Sequence, residues 1–257
     1  MSLKKIFYKM ALTLALCPFI PGLATAKAAP STSFIIEAWG GSSTKGVMAV
    51  RKAGRLRNIV TGHNEIAILN QLLQEKYGSG VRVINHGAPS AQAIELLNGR
   101  YKYAHNPPWP EVMKHSDASL ILLNFATNDA RHFHFHDIEQ PYQVSPQRYS
   151  EVMTALIDSA REHGKAVVLQ EPHPLCGRAE KWDVAPYAAR LNAIARAENV
   201  PLVSQYQRIQ NMPHWRGMMS PDCIHPSEKL YRLKALETFE VIERHFGAQL
   251  AALKGSP

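Results

Sequence analysis

The 257-residue chain has no internal repeat and no low-complexity linker, which excludes solenoids, propellers and tethered multidomain arrays. It has no apolar run of comfortable membrane-spanning length, because the N-terminal stretch 10–20 is too short to cross a bilayer. Its basic residues form no stripe interleaved with aromatics, so nothing marks a nucleic-acid partner. Its histidines and cysteines match no specific zinc-ligand spacing. Cysteine is scarce, with Cys17, Cys176 and Cys223 the whole complement.

What is present is a chain long enough to bury one sizeable core, in which strand-like and helix-like segments alternate. Strand candidates fall at 34–39, 81–85, 119–124, 165–170 and 201–203. Helical patterns lie between them. One covers 65–73 and ends towards Gly78; another opens at Ser145-Pro146 and stops at Gly164; two more cover 184–199 and 227–246. The alternation predicts a single α/β domain over 27–257. Its architecture would be a three-layer α/β/α sandwich around a mostly parallel five-stranded sheet with right-handed crossovers.

The N-terminus reads as an export signal. Lys4, Lys5 and Lys9 precede the apolar stretch, and Ala24-Thr25-Ala26 fits an A-x-A cleavage site, which predicts a signal peptide over 1–26. Cys17 raises a lipoprotein signal as an alternative, although Leu16 stands where a small residue belongs. The expected location is periplasmic or secreted, with no stable membrane insertion after cleavage. Cleavage removes three lysines and no acid, so the formal charge falls from +8 to +5. That remainder reads as unclustered, with solubility its plain role.

Four segments carry the chemistry. Pro221-Asp222-Cys223-Ile224-His225-Pro226 sets a carboxylate three residues before an imidazole. At that spacing the carboxylate reaches Nδ1–H and leaves Nε2 free to take a proton from a nucleophile. Gly40-Gly41-Ser42-Ser43-Thr44-Lys45-Gly46 follows an apolar segment and exposes a serine at the carboxyl edge of a sheet, where ligands bind in open α/β folds. Val83-Ile84-Asn85-His86-Gly87-Ala88-Pro89-Ser90 and Leu120-Ile121-Leu122-Leu123-Asn124-Phe125-Ala126-Thr127-Asn128-Asp129 are also apolar runs that stop at small or amide residues. Asn128 offers a side-chain N–H to an oxyanion, and the backbone near Ser90 offers another. Taken alone, Asp-x-x-His is a weak pattern, and each of the other three segments is more often an ordinary strand-end turn.

Together the segments resemble the SGNH hydrolases, also called GDSL esterases/lipases, over roughly residues 35–226. The family carries a Gly-Asp-Ser block, a second-block glycine, a Gly-x-Asn-Asp block and a C-terminal Asp-x-x-His. The resemblance implies Ser42 as nucleophile, His225 as general base and Asp222 as its orienting partner. It implies an oxyanion hole from Asn128 and the backbone N–H groups of Ser42 and Ser90. Three positions depart from the pattern: Gly41 replaces the aspartate, Ser90 falls on the second-block glycine when Asn85 anchors the alignment, and Ala126 opens the third block.

The reaction implied is attack on a carboxylic ester, then hydrolysis of an acyl-enzyme, with no metal and no organic cofactor. Acetylated carbohydrate or short-chain acyl esters are the expected substrates. Two alternatives stand beside it: an O-acyltransferase acting on an envelope polysaccharide, and a catalytically silent carbohydrate-binding domain favoured by Gly41 and Ser90.

An exported protein meets an oxidising compartment, so Cys176 and Cys223 are a disulfide candidate, with two free thiols the alternative. Arg131-His132-Phe133-His134-Phe135-His136-Asp137 alternates like a strand, with three imidazoles on one side. It reads as a rim loop or, less readily, a metal site. His173 either borders the cleft or sits in a proline-stiffened loop. Trp109 either stacks on a sugar or packs as an anchor.

Overall fold

A computed structural model describes residues 33–253, so the expected signal peptide and Cys17 lie outside the described residues. The strands are β1 (Phe34–Gly40), β2 (Val47–Lys52), β3 (Arg55–Val60), β4 (Val81–Asn85), β5 (Leu120–Asn124), β6 (Ala166–Gln170) and β7 (Leu202–Val203). The helices are α1 (Ser42–Lys45), α2 (Glu65–Tyr77), α3 (Ala93–Asn98), α4 (Trp109–His115), α5 (Thr127–Phe135), α6 (Pro146–Glu162), α7 (Ala185–Ala197), α8 (Tyr206–Gln210) and α9 (Glu228–Ala252).

Five strands form one parallel sheet in the order β4-β1-β5-β6-β7. Successive side chains on a strand point to opposite faces. Ile36, Leu120, Leu122 and Val168 therefore face one layer, where they meet Leu69 and Leu73 of α2 and Ile242 of α9. Trp39, Ile121, Leu123 and Leu169 face the other, against Met113, Leu156 and Leu191. Each such fully buried aliphatic contributes roughly 1.5–3 kcal/mol, so a charge at Leu122 would break the sheet–helix contact. The fold is the α/β/α sandwich expected from the alternation of elements.

The helix boundaries have local causes. Asn64 accepts the Ala67 N–H at 3.0 Å to start α2, and Gly78 ends it in a positive-φ conformation. Ser145 caps α6 through the Arg148 N–H at 3.2 Å, with Pro146 in the first turn. Among the described residues no helix is long and apolar enough to cross a membrane.

One expectation is corrected and one open alternative is decided. Residues 131–135 are the C-terminal part of α5 and His136 is its cap, not an extended loop. Asp129 sits in the first turn and accepts the Ala126 N–H at 3.0 Å, which starts a helix that the His/Phe alternation conceals. Trp109 is fully buried at the start of α4 and donates from Nε1 to the Leu156 carbonyl at 2.9 Å, so it packs as an anchor and cannot stack on a sugar. The β2–β3 hairpin was not anticipated.

Strand order decides where a site can form. The chain crosses from β1 to β4 on one side and returns to β5 on the other, so the carboxyl ends of β1 and β5 flank a topological switch point. Gly40 and Asn124 are register partners at that crevice.

Candidate active site

Ser42 opens α1 directly at the switch point. The turn before it is tight because glycine permits it. A Cβ on Gly40 would stand 2.1 Å from Thr44 Oγ1 and 2.4 Å from the Asn124 carbonyl oxygen, closer than any side chain allows. A Cβ on Gly87 would lie 2.3 Å from the Lys45 backbone nitrogen. The loop after β4 thus presses on α1, and Asn85 fastens it. Its Nδ2–H donates to the Thr44 carbonyl at 2.8 Å, and its Oδ1 accepts the Gly87 N–H at 2.9 Å. The sequence assigns Gly87 no role and uses Asn85 only to anchor the second block; the Asn-x-Gly spacing after a strand is the signal that points to both as supports of the turn.

His225 and Asp222 come from the loop before α9. The Ser42 hydroxyl donates to His225 Nε2 at 2.9 Å, and His225 Nδ1–H donates to Asp222 Oδ2 at 2.6 Å. The other carboxylate oxygen, Oδ1, accepts from the Ser220 hydroxyl at 2.8 Å and from the Ile224 and His225 amides at 3.0 Å each. Burial pushes the Asp222 carboxyl up, but the hydrogen bonds from the His225 ring and the two amides outweigh it. The group is held well below the usual carboxylate range and stays ionised.

Behind this loop, His173 is almost wholly buried and donates from Nε2 to the Ile224 carbonyl at 2.8 Å. Burial, and secondarily the charge of Lys234, push His173 down to about 3, so its ring is neutral. It is a support for the loop and does not border the cleft. Cys176 and Cys223 are joined in a disulfide with Cα atoms 4.8 Å apart, and the Cys176 N–H donates to the Cys223 carbonyl at 3.0 Å. The bridge pins the turn between Asp222 and His225.

Ser42 also lines a hollow of about 10 Å³, together with Ala91, Phe125, Ala126 and Asn128 among others. One N–H of the Asn128 amide donates to the Ala91 carbonyl at 2.9 Å, and the second remains to be offered. A Cβ on Gly41 would stand 2.8 Å from that amide nitrogen. Where the SGNH pattern places an aspartate, this chain leaves room for Asn128.

Ser90 and Ala126, the two positions at which the pattern has glycine, both adopt positive φ, 66° and 120°. Ser90 lines a wider neighbouring groove of about 560 Å³ with Glu95, Tyr101, Lys102 and Arg131, while its neighbour Ala91 lines the hollow.

Asp129 holds these segments together. It is fully buried, and its two oxygens accept the Ala93 N–H at 3.1 Å and the Ala126 N–H at 3.0 Å. Burial pushes its carboxyl up to about 6, against the pull of those amides. The histidines of α5 do not converge. His132 Nδ1 pairs with Asp137 at 2.6 Å and His136 Nδ1 with Gln143 at 2.7 Å. Among the described residues no three His, Cys, Asp or Glu side chains are grouped to hold a metal ion.

The sheet order and this crevice define an α/β/α protein of SGNH-hydrolase type. The chain belongs to the GDSL-like lipase/acylhydrolase family, whose family model matches residues 38–233. Three solved structures illustrate the shared fold. The lipase/acylhydrolase of Enterococcus faecalis is 17% identical with a TM-score of 0.60, covering 82% of this chain and 96% of that one. The M. smegmatis aryl esterase is also 17% identical, with a TM-score of 0.60 over 82% of this chain and 99% of that one. An acetylxylan esterase from Geobacillus stearothermophilus is 16% identical, with a TM-score of 0.61 over 84% and 96%. No curated protein sequence matches the chain.

Proposed function

We propose that the protein is an exported serine esterase that hydrolyses acetyl or other short acyl esters. The observation that carries this reading is the unbroken line from the Ser42 hydroxyl through His225 to Asp222, at 2.9 and 2.6 Å. Family membership supports ester hydrolysis as the reaction class.

In this mechanism His225 Nε2 takes the Ser42 proton as Oγ attacks the ester carbonyl carbon. Asp222, kept ionised by its amide donors, stabilises the imidazolium and fixes its tautomer. The free N–H of Asn128 and the backbone N–H groups of Ser42 and Ser90 receive the developing oxyanion. His225 then protonates the leaving alcohol, and water resolves the acyl-enzyme by the same route. The hollow beside Ser42 has room on the order of one water, which favours a short acyl group. The larger groove beside Ser90 suits the alcohol portion, a sugar among the candidates. The disulfide supports an oxidising compartment, hence export.

The test is turnover of acetyl, butyryl and octanoyl esters by the wild type and Ser42→Ala, together with labelling by a serine-reactive phosphonate. The expected result is turnover that falls with acyl length, and a variant that neither turns over nor labels. Equal turnover by Ser42→Ala would exclude the nucleophile.

A further inference from the structure

We propose that the β2–β3 hairpin docks the protein on an anionic phospholipid surface. From Val47 to Val60 the hairpin carries Arg51, Lys52, Arg55 and Arg57 and no acidic residue. The formal charge of residues 27–257 is +5, so four charges of this excess sit on one ribbon. This corrects the sequence reading of an unclustered charge. None of the four cations makes an ion pair among the described residues.

The same ribbon exposes apolar side chains. All six residues of β3 are exposed, with Leu56 at 45%, Ile59 at 42% and Val60 at 57%. Directly paired residues share a face. The pairs Met48–Ile59, Val50–Arg57 and Lys52–Arg55 therefore set apolar groups and cations side by side on one surface. The buried Val47 and Ala49 belong to the other face, with Arg51, Leu56 and Val60, so the surface of Met48, Val50, Lys52, Arg55, Arg57 and Ile59 points away from the domain.

Cations beside exposed apolar groups match the boundary between anionic headgroups and acyl chains. An acidic polysaccharide would engage the cations of this surface but would leave the neighbouring Met48, Val50 and Ile59 in water. The ribbon also lies close to the candidate site. It starts one residue after α1, and the Ala49 N–H donates at 3.2 Å to Ser220 Oγ, which donates at 2.8 Å to Asp222. Docking would bring Ser42 near the lipid surface. The proposal stands whatever reaction Ser42 performs.

The mature protein, purified after export, is sedimented with phosphatidylcholine vesicles that contain or lack phosphatidylglycerol, and mixed separately with polygalacturonate. Expected is more than about tenfold tighter binding to the anionic vesicles. That preference disappears in Arg51→Gln/Lys52→Gln/Arg55→Gln/Arg57→Gln and persists in Arg51→Lys/Arg55→Lys/Arg57→Lys. Met48→Ser/Ile59→Ser, a directly paired couple on the outward face, should weaken binding to anionic vesicles while the charge is unchanged. Rising salt should release the wild type, a readout that needs no variant to fold. Equal binding to both vesicles, salt-insensitive binding, or capture by polygalacturonate without vesicle binding would overturn the proposal.

Discussion

His173 donates from Nε2 to the Ile224 carbonyl at 2.8 Å, and so holds from beneath the residue that precedes His225. An unfolded histidine titrates near 6.5, whereas burial and Lys234 push this one down to about 3. Between those values the unfolded chain binds a proton that the folded chain refuses, so folding stability drops as pH falls through the window. His173→Gln keeps an amide donor but cannot titrate. Urea unfolding near pH 6.5 and near pH 5 should show the wild type losing about 2 kcal/mol more than the variant. An identical pH slope in both proteins would refute the assignment. If His173 only positions the loop, the variant should retain most of its kcat at neutral pH.

Ala126 occupies φ 120° with its N–H on Asp129, a conformation that favours glycine. Ala126→Gly should relieve on the order of 1 kcal/mol of backbone strain and raise Tm by about 2–4 °C. Thermal unfolding measures this directly, and a lower Tm would show that Ala126 is not strained. Because Asn128 lies two residues on, activity should be retained.

The contrast between Ala126 and the hairpin explains what the sequence could disclose. Strands such as Leu120–Asn124 announce themselves as apolar runs, and the Asp222/His225 spacing is local, so both were readable. The hairpin was not. Its turn uses Ala53 and Gly54 at φ 48° and 75°, without the Asn-Gly pair that marks such turns. Its strands are too exposed for inward alternation to show. The supports for the candidate site, Asn85 on Thr44, Asp129 on Ala93 and His173 on Ile224, join residues 36 to 51 positions apart. Such contacts depend on how the layers pack, and no local pattern encodes them.

The Cys176–Cys223 bridge closes a separation of 47 residues. Its loss should cost about 4 kcal/mol in the chain-entropy account. Cys176→Ser/Cys223→Ser should therefore unfold at lower urea. It should also lose more activity than stability alone explains, because the bridge pins the loop carrying Asp222 and His225. A double variant with unchanged kcat under folding conditions would separate the bridge from the site and leave it a stability element only.

Glu95 offers a test at the other end of the pH scale. It lines the same groove as Ser90, and its Oε2 accepts the Gln92 N–H at 3.3 Å. Burial pushes the group up to about 7, opposed by the Gln92 amide and aided by Asp129. An unfolded glutamate titrates near 4.3, so between the two values the folded chain keeps a proton that the unfolded chain has lost. Stability contributed by this site is therefore present at the acid end and lost as pH rises through about 7. Glu95→Gln retains a carbonyl acceptor for Gln92 and carries no charge at any pH. The variant should gain on the wild type as pH is raised from about 5 to about 8, read as a widening difference in urea midpoints. Asp129, raised to about 6, imposes a slope of the same sign in both proteins, so the difference between them reads Glu95 and its coupling to Asp129. Midpoints that stay parallel across this range would mean that Glu95 ionises in the folded protein as freely as in water.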